Sequence, residues 1–300
     1  MKKDSVDRAR ELEVFAAIVE AAGVSAGGRT VGLSPSGASR TLQRLESRLG
    51  VRLLVRASRA FRLTEEGESY YRSGRRILND LDEVEQTLGD QAAPRGRLRV
   101  SSSIAFGRVA ILPALGAFQH AYPGISMELS LTDHIADLSA GEADLAVRVG
   151  DLPDSDLKAR KLGESPRILV ASPEYLARSG APITPEDLTR HNCLRFSFRP
   201  LPATWPFRRG DEHFDIEIVG NIAVDNGDAI MQLALAGHGI ARVGHFHVQR
   251  ELEAGRLVPL LEDFDTGETE SFHAVFVGGR TIPGRVRAFV DFFAGRVGRP

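Results

Sequence analysis

One face of a short basic stretch carries the side chains best suited to reading another polymer. Between Ser34 and Gly50, Ala38, Leu42, Leu45 and Leu49 recur at helical spacing and predict one buried face. At about 100° per residue, Ser36, Arg40, Gln43 and Ser47 point the opposite way, with Ser39 and Arg44 beside them. Arg matches the two acceptors on the guanine edge, and Gln matches the donor–acceptor pair of adenine. This face therefore suits the floor of a DNA major groove. Ser34 is a good N-cap, Pro35 fits the first helical position and Gly50 fits the exit. From Ser34 to Leu63 there are seven arginines against Glu46 alone. A merely solvated face mixes its signs, so the excess favours a polyanionic partner, here double-stranded DNA.

A second group of residues could hold a small molecule. Ser101, Ser102 and Ser103 follow a strand-like run and lead into a helix. Their hydroxyls and the free N–H groups of that helix would form a small anion site, so an effector of anionic character is expected. Thr132 and Asp133 end the next strand, and Asn226 precedes a later helix. Val243 and Gly244 end the strand after it. In open α/β sheets, ligands bind beyond such carboxyl ends. His245 and His247, with His213 remote, give a period-two pair without a placed third metal ligand. They are expected at the surface or as caps, and no metal or cofactor is expected. There is no Gly-x-Ser-x-Gly elbow and no His placed beside an activated Ser, so the serines read as ligand donors and not as enzyme nucleophiles.

The net charge of −2 hides an asymmetry. Residues 1–63 carry +6 and the remainder −8, which confines nucleic-acid contact to one end. Cys193 is the only cysteine, so no intramolecular disulfide can form. No run of about 18 apolar residues is apparent, and the N-terminus lacks a signal-peptide pattern. The expectation is a cytoplasmic protein with no membrane partner.

These residues need elements to hold them. Residues 7–22 predict an amphipathic helix that buries Leu12, Phe15, Ile18 or Val19, and Ala22, and Gly23 stops it. Ser25 caps a second helix running to Val31, and Gly32-Leu33-Ser34 forms the short turn of a helix-turn-helix. Leu53–Val55 reads as a strand, with Arg56, Ser58, Arg59 and Arg62 around a turn and return strand. Thr64 caps a helix to about Asp90. On it Tyr70, Gly74, Ile77, Leu81, Val84 and Leu88 recur at heptad spacing. That seam needs a partner, either another helix or the chain's own body. A Pro/Gly-bearing hinge follows at 93–96. Beyond it, strand-like and helix-like runs alternate, which argues an α/β domain with a largely parallel sheet.

The stretch VFAAIVEAAGVSAGGRTVGLSPSGASRTLQRLESRLGVRLLVRASRAFRLTEEG resembles the LysR-type transcriptional regulators nearly throughout. It carries Ser-Pro-Ser before the third helix, Leu-Glu-x-x-Leu-Gly-Val at its end, then Arg-x-x-Arg and Leu-Thr-x-x-Gly. The likeness continues more loosely through AYPGISMELSL, ADLAVRVGDLPDSDLKARKLG and LVPLLEDF. Two departures stand out: Gly27 and Gly28 replace the family's usual alanines, and Leu54 replaces its Phe. Each glycine should cost about 1 kcal/mol within a helix, unless close packing against a neighbour requires it.

The resemblance implies a multi-domain chain. Residues 1–63 would form a winged helix-turn-helix, 64–92 a dimerising linker helix, and 97–300 a periplasmic-binding-protein-like α/β effector domain. Its subdomains would cover about 97–167 with 272–300, and about 168–271, joined by two crossing strands. It further implies that Ser34 is among the DNA-binding residues, that the wing with Arg56, Ser58 and Arg59 tracks the DNA backbone or enters the minor groove, and that Phe196 and Ser197 face the cleft. Tyr70, Ile77, Leu81, Val84 and Leu88 would pair two copies into a homodimer or homotetramer. RNA polymerase would be a further partner.

Overall fold

The computed structural model describes residues 7–56, 61–88, 93–139, 141–198, 201–278 and 282–296. Ser58 and Arg59 fall outside these residues, and the side chains of Arg56, Val84 and Leu88 are likewise not described. The chain divides into two compact units, Met1–Ala93 with Asp137–Glu142, and Pro94–Ala136 with Ala143–Pro300.

The first unit holds α1 (Arg8–Glu20), α2 (Val24–Thr30), α3 (Pro35–Leu49), the hairpin β1 (Leu54–Arg56) and β2 (Phe61–Leu63), and α4 (Glu65–Leu88). Local chemistry sets its boundaries. Asp7 accepts the Arg10 N–H at 3.0 Å, Ser34 accepts that of Gly37 at 3.1 Å, and Thr64 accepts that of Gly67 at 2.9 Å. Each satisfies a first-turn donor that would otherwise have no partner. Gly50 ends α3 at φ 73°, where a side chain would be strained. Val14, Phe15, Ile18, Ala38, Leu42, Leu45 and Leu53 form the core. Two sequence expectations shift here. Ala22 is exposed and lies beyond the end of α1, in a left-handed turn at φ 50°. Gly23, not Ser25, occupies the N-cap position of α2.

The two unusual glycines have a packing reason. A Cβ on Gly27 would overlap the α1 backbone at Ala17 and Ile18, and one on Gly28 would come within 2.9 Å of Ala38 Cβ. α1 and α2 therefore cross backbone to backbone, a contact that only glycine admits at this spacing. Gly74 has a similar explanation. It is buried, and a Cβ there would strike Leu12 of α1.

The second unit begins with β3 (Gly96–Ser102) and a helix in three parts: α5 (Ile104–Phe106), a π segment (Gly107–Ile111) and α6 (Leu112–Ala121). Pro113 lacks an N–H for the ladder, and the π segment lies immediately before it. Over Ile104–Ala121 this helix is long and apolar enough to cross a membrane. The absence of such a run, expected from composition, is thus corrected. Phe106, Ile111 and Phe118 are wholly buried in the first core of this unit, where that apolar character is used.

The unit continues through β4 (Ile125–Leu131), β5 (Leu145–Val149), β6 (Leu157–Ala171), α7 (Pro173–Ser179) and β7 (Arg195–Phe196). Next come β8 (Thr204–Arg209), β9 (Glu212–Glu217), β10 (Ala223–Val224), α8 (Gly227–Leu235) and β11 (Ala241–Gly244). α9 (His245–Glu253), β12 (Val258–Leu260), β13 (Thr269–Val277) and α10 (Gly284–Phe293) complete it.

The main sheet has the order β11-β6-β13-β5-β3-β4, with β12 also on β6. Only its β5-β3-β4 end is parallel. β13 runs antiparallel to both β5 and β6, and β11 and β12 run antiparallel to β6. The expectation of a largely parallel sheet is therefore corrected. The reason is β6, 15 residues long, and β13 beside it. Together they carry the chain from one hydrophobic cluster, built on β3–β5 and α10, to two others on the 168–264 side. The β8–β9 hairpin, turned at Gly210, was not foreseen. Cys193 lies wholly buried in one of the latter clusters, and burial pushes its thiol up to about 12, which leaves it protonated and unreactive.

Candidate DNA-binding head and ligand cleft

In the head, α3 presents Ser36, Arg40, Gln43, Arg44 and Ser47 exposed, with Ser39 half-buried behind them. Arg40 Nε rests on the Ser36 carbonyl at 3.3 Å, which keeps the side chain along its own helix face. Two buried carboxylates organise the surroundings. Glu11 of α1 receives Arg48 Nε and Nη2 at 3.0 and 2.8 Å, and Arg44 Nε lies 3.2 Å from its other oxygen. The bond to Glu11 raises the Arg48 pKa further, so that cation is fixed. Glu46 accepts the N–H groups of Leu53 and Leu54 at 2.8 and 3.2 Å and pairs with Arg52 at 2.9 Å.

These pairs leave the charge count of the sequence as it was and show which arginines the carboxylates meet. Arg44, Arg48 and Arg52 are partly neutralised from within the head, so Arg44 is a weaker DNA candidate than Arg40. They also show what the Glu of Leu-Glu-x-x-Leu does: it pins the strand that begins the wing to the end of α3. β1 and β2 then pair Leu54 with Leu63, Val55 with Arg62 and Arg56 with Phe61. A spacing argument along one helix cannot find either carboxylate, since Glu11 lies on another helix and Glu46 reaches beyond its own.

On α4 the expected seam divides. The Tyr70 ring lies 5.6 Å from Phe15 and belongs to the head's own core, which corrects its placement in a subunit interface. Ile77 and Leu81 are 59% and 42% exposed. Apolar residues in that state on a long helix are the part of the seam that still needs a partner.

In the α/β unit, the structure brings together some of the expected ligand residues and separates others. Ser103 caps α5, accepting the Phe106 N–H at 3.4 Å. Ser102 is buried and donates to the Ser103 carbonyl at 3.1 Å. Ser101 is buried in β3, and its hydroxyl finds no hydrogen-bond partner among the described residues. The Thr132 N–H donates to the Ser102 carbonyl at 2.8 Å, which sets Asp133 beside the same helix start. On the other side, the Ser197 N–H donates to the Val224 carbonyl at 2.8 Å, which holds Phe196 and Ser197 next to Asp225 and Asn226. Asn226 caps α8 through the Ala229 N–H at 2.8 Å. Val243 is packed in a core, and Gly244 sits directly against the Glu270 carboxylate. Neither lines the cleft, which corrects both expectations: the Glu270 side chain and the Phe246 ring cover the end of β11.

One residue missed in the sequence completes the site. Arg108, on the π segment, forms an ion pair with Asp228 in the first turn of α8. This joins the two halves of the unit across 120 residues of sequence. His247 Nε2 lies 3.7 Å from the same Asp228 oxygen. His247 is buried, contrary to the surface or cap position expected of it, and burial holds its pKa below the usual histidine range.

Desolvation pushes the Asp133 carboxyl above its usual range even though the residue opens to solvent. The Ile104 N–H that it accepts and the Arg148 charge oppose that rise, whereas Asp225 and Asp228 reinforce it. Asp133 therefore already occupies the helix start where a small anion was expected, with two more carboxylates nearby. An anionic effector at Ser102 and Ser103 would have to displace it.

Comparison with known proteins agrees with this two-part reading. The LysR substrate binding domain matches residues 91–298, and the bacterial regulatory helix-turn-helix domain of the lysR family matches residues 9–68. The HTH-type transcriptional regulator CrgA of Neisseria meningitidis serogroup C (strain 8013) is 34% identical over 291 residues, 96% of each chain. The HTH-type transcriptional regulator DmlR of Escherichia coli (strain K12) is 35% identical over 284 residues, 94% of this chain and 92% of that one. The solved structure of CrgA from Neisseria meningitidis, 33% identical, superposes with a TM-score of 0.64 over 97% of this chain and 99% of its own. With a basic helix-turn-helix in one unit, an α/β ligand-type fold in the other and relatives aligned along nearly the whole length, the chain belongs to the LysR family of transcriptional regulators.

Proposed function

We propose that α3 enters the major groove, with Ser36, Ser39, Arg40 and Gln43 facing base edges and Arg44 flanking them. Ser34 at the helix start, with Arg56, Ser58 and Arg59 of the wing, would meet the phosphate backbone, where arginine is favoured electrostatically. The observation that carries this is the capped, exposed face of α3, braced by Glu46 against the wing. α4 pairs two copies through Ile77, Leu81, Val84 and Leu88, so that two heads read paired half-sites in a homodimer or homotetramer.

A small effector sits between Ser103 with Thr132 and Asp133 on one side and Phe196, Ser197 and Asn226 on the other. The Arg108–Asp228 pair ties those sides together, so a ligand that bound the tied and untied arrangements unequally would shift the balance between them. The carboxylates at Asp133, Asp225 and Asp228 favour a neutral or amine-bearing effector over an anion. The protein acts in the cytoplasm as a regulator and not as an enzyme, and RNA polymerase is its downstream partner.

Selection of bound duplexes from a random pool by the full-length protein tests this function. The expected product is a motif of two related half-sites. Recovery of unrelated sequences alone would overturn the reading.

A further inference from the structure

The 168–271 half contains a concavity that shares no residue with the cleft. It has a volume of about 590 Å³, within the usual range of about 300–1,000 Å³ for small-molecule sites. Segments around residues 175–179, 189–192, 219–221 and 238 line it.

The walls are cross-linked by polar side chains. Asn192 donates through Nδ2 to the His238 carbonyl at 2.7 Å and accepts the Asn221 N–H at 2.9 Å. Arg178 donates to the Gly237 carbonyl at 2.6 Å. The Tyr175 hydroxyl accepts the Asn192 N–H at 3.0 Å and lies 3.1 Å from His191 Nδ1. Such a frame is preorganised, so little ordering is left for a ligand to cause.

The chemistry facing inward is one-sided. Arg178, Arg190, His191 and His238 line the concavity, and no lining residue is acidic. Asp187, whose charge acts on Arg190, is turned to the N–H groups of Ile183 and Thr184 at 3.0 and 2.9 Å. With an N–H already donated to it, the Tyr175 oxygen best uses its own proton towards His191 Nδ1. His191 then carries its hydrogen on Nε2, the nitrogen left for a ligand. Burial lowers its pKa, so it offers an N–H donor without a charge, while Arg178 and Arg190 supply the charge.

We propose that this concavity binds a small oxyanion, a carboxylate or a phosphate, separately from the cleft. Calorimetric titration of the full-length protein in a chloride buffer, with inorganic phosphate in one arm and citrate in the other, tests it. Saturable binding of at least one probe is expected, and the arm that saturates names the class. Arg190→Glu should weaken that binding at least tenfold and Arg190→Gln by less, whereas Phe196→Ala, in the cleft, should leave it unchanged. Absence of saturable binding in both arms, binding indifferent to Arg190→Glu, or loss in Phe196→Ala would each overturn the proposal. None of these outcomes bears on DNA recognition.

Discussion

Carboxylates do opposite work in the two units. In the head, Glu11 and Glu46 are directed inward and spent on arginines and backbone N–H groups. They fix a surface whose remaining cations face outward. In the α/β unit, Asp133, Asp225 and Asp228 gather where the two halves meet, and Asp228 is shared between Arg108 and His247. The head is thus a rigid template with its electrostatics settled on folding. The cleft keeps charge that a ligand can still redistribute.

The comparison extends to packing. α1 and α2 meet through Gly27 with no space for a methyl group. Gly27→Ala should therefore destabilise the head by about 1–3 kcal/mol, the usual range for overpacking, seen as a lower melting temperature. The helix preference of alanine alone predicts a gain of about 1 kcal/mol instead. A rise in melting temperature would show that the two helices can part cheaply.

Removal of a head carboxylate should have an effect of at least the same size. Glu46→Ala leaves the Leu53 and Leu54 N–H groups without their acceptor and Arg52 without its partner. A loss of about 1.5–3 kcal/mol is expected for a charged hydrogen bond, with operator affinity falling as the wing loosens. If calorimetry finds stability unchanged, Glu46 is not the brace described.

The smallest effect separates the units by pH. All eight histidines lie beyond residue 93, so the head has none. Burial lowers the pKa values of His191, His247 and His273. As pH falls through the ordinary histidine value, about 6.5, the unfolded chain takes up protons before the folded one does. The stability that these three histidines contribute to the α/β unit is then lost as pH drops, and is fully present above that value, while the raised Glu270 carboxyl contributes in the opposite sense. Amide exchange at pH 7.5 and 5.5, corrected for its intrinsic rate, should show protection falling in residues 94–300 and holding in the head. His247→Gln should flatten the trend, and an equal loss in both units would deny the division.

Much of the head was legible in the sequence because its determinants are local. Ser34, Pro35 and Gly50 bracket α3, and the apolar spacing between them assigns its two faces. The order of strands in the second unit was partly legible for the same reason. Strand direction was not, because β6 and β13 serve both halves and only tertiary pairing shows which way they run. Nor was the cleft chemistry, since nothing near Arg108 in the chain points to Asp228. The β8–β9 hairpin did leave a signal: Trp205 and Phe207 alternate before Gly210, and Phe214 and Ile216 after it.

The account rests on α3 as a reader of bases, and the affinity of Arg40→Ala for a selected duplex and a scrambled one tests that most directly. At fixed salt, Arg40→Ala should lose about 1–3 kcal/mol on the selected duplex and almost nothing on the scrambled one. An equal loss on both, or none on either, would mean that this face of α3 does not read sequence.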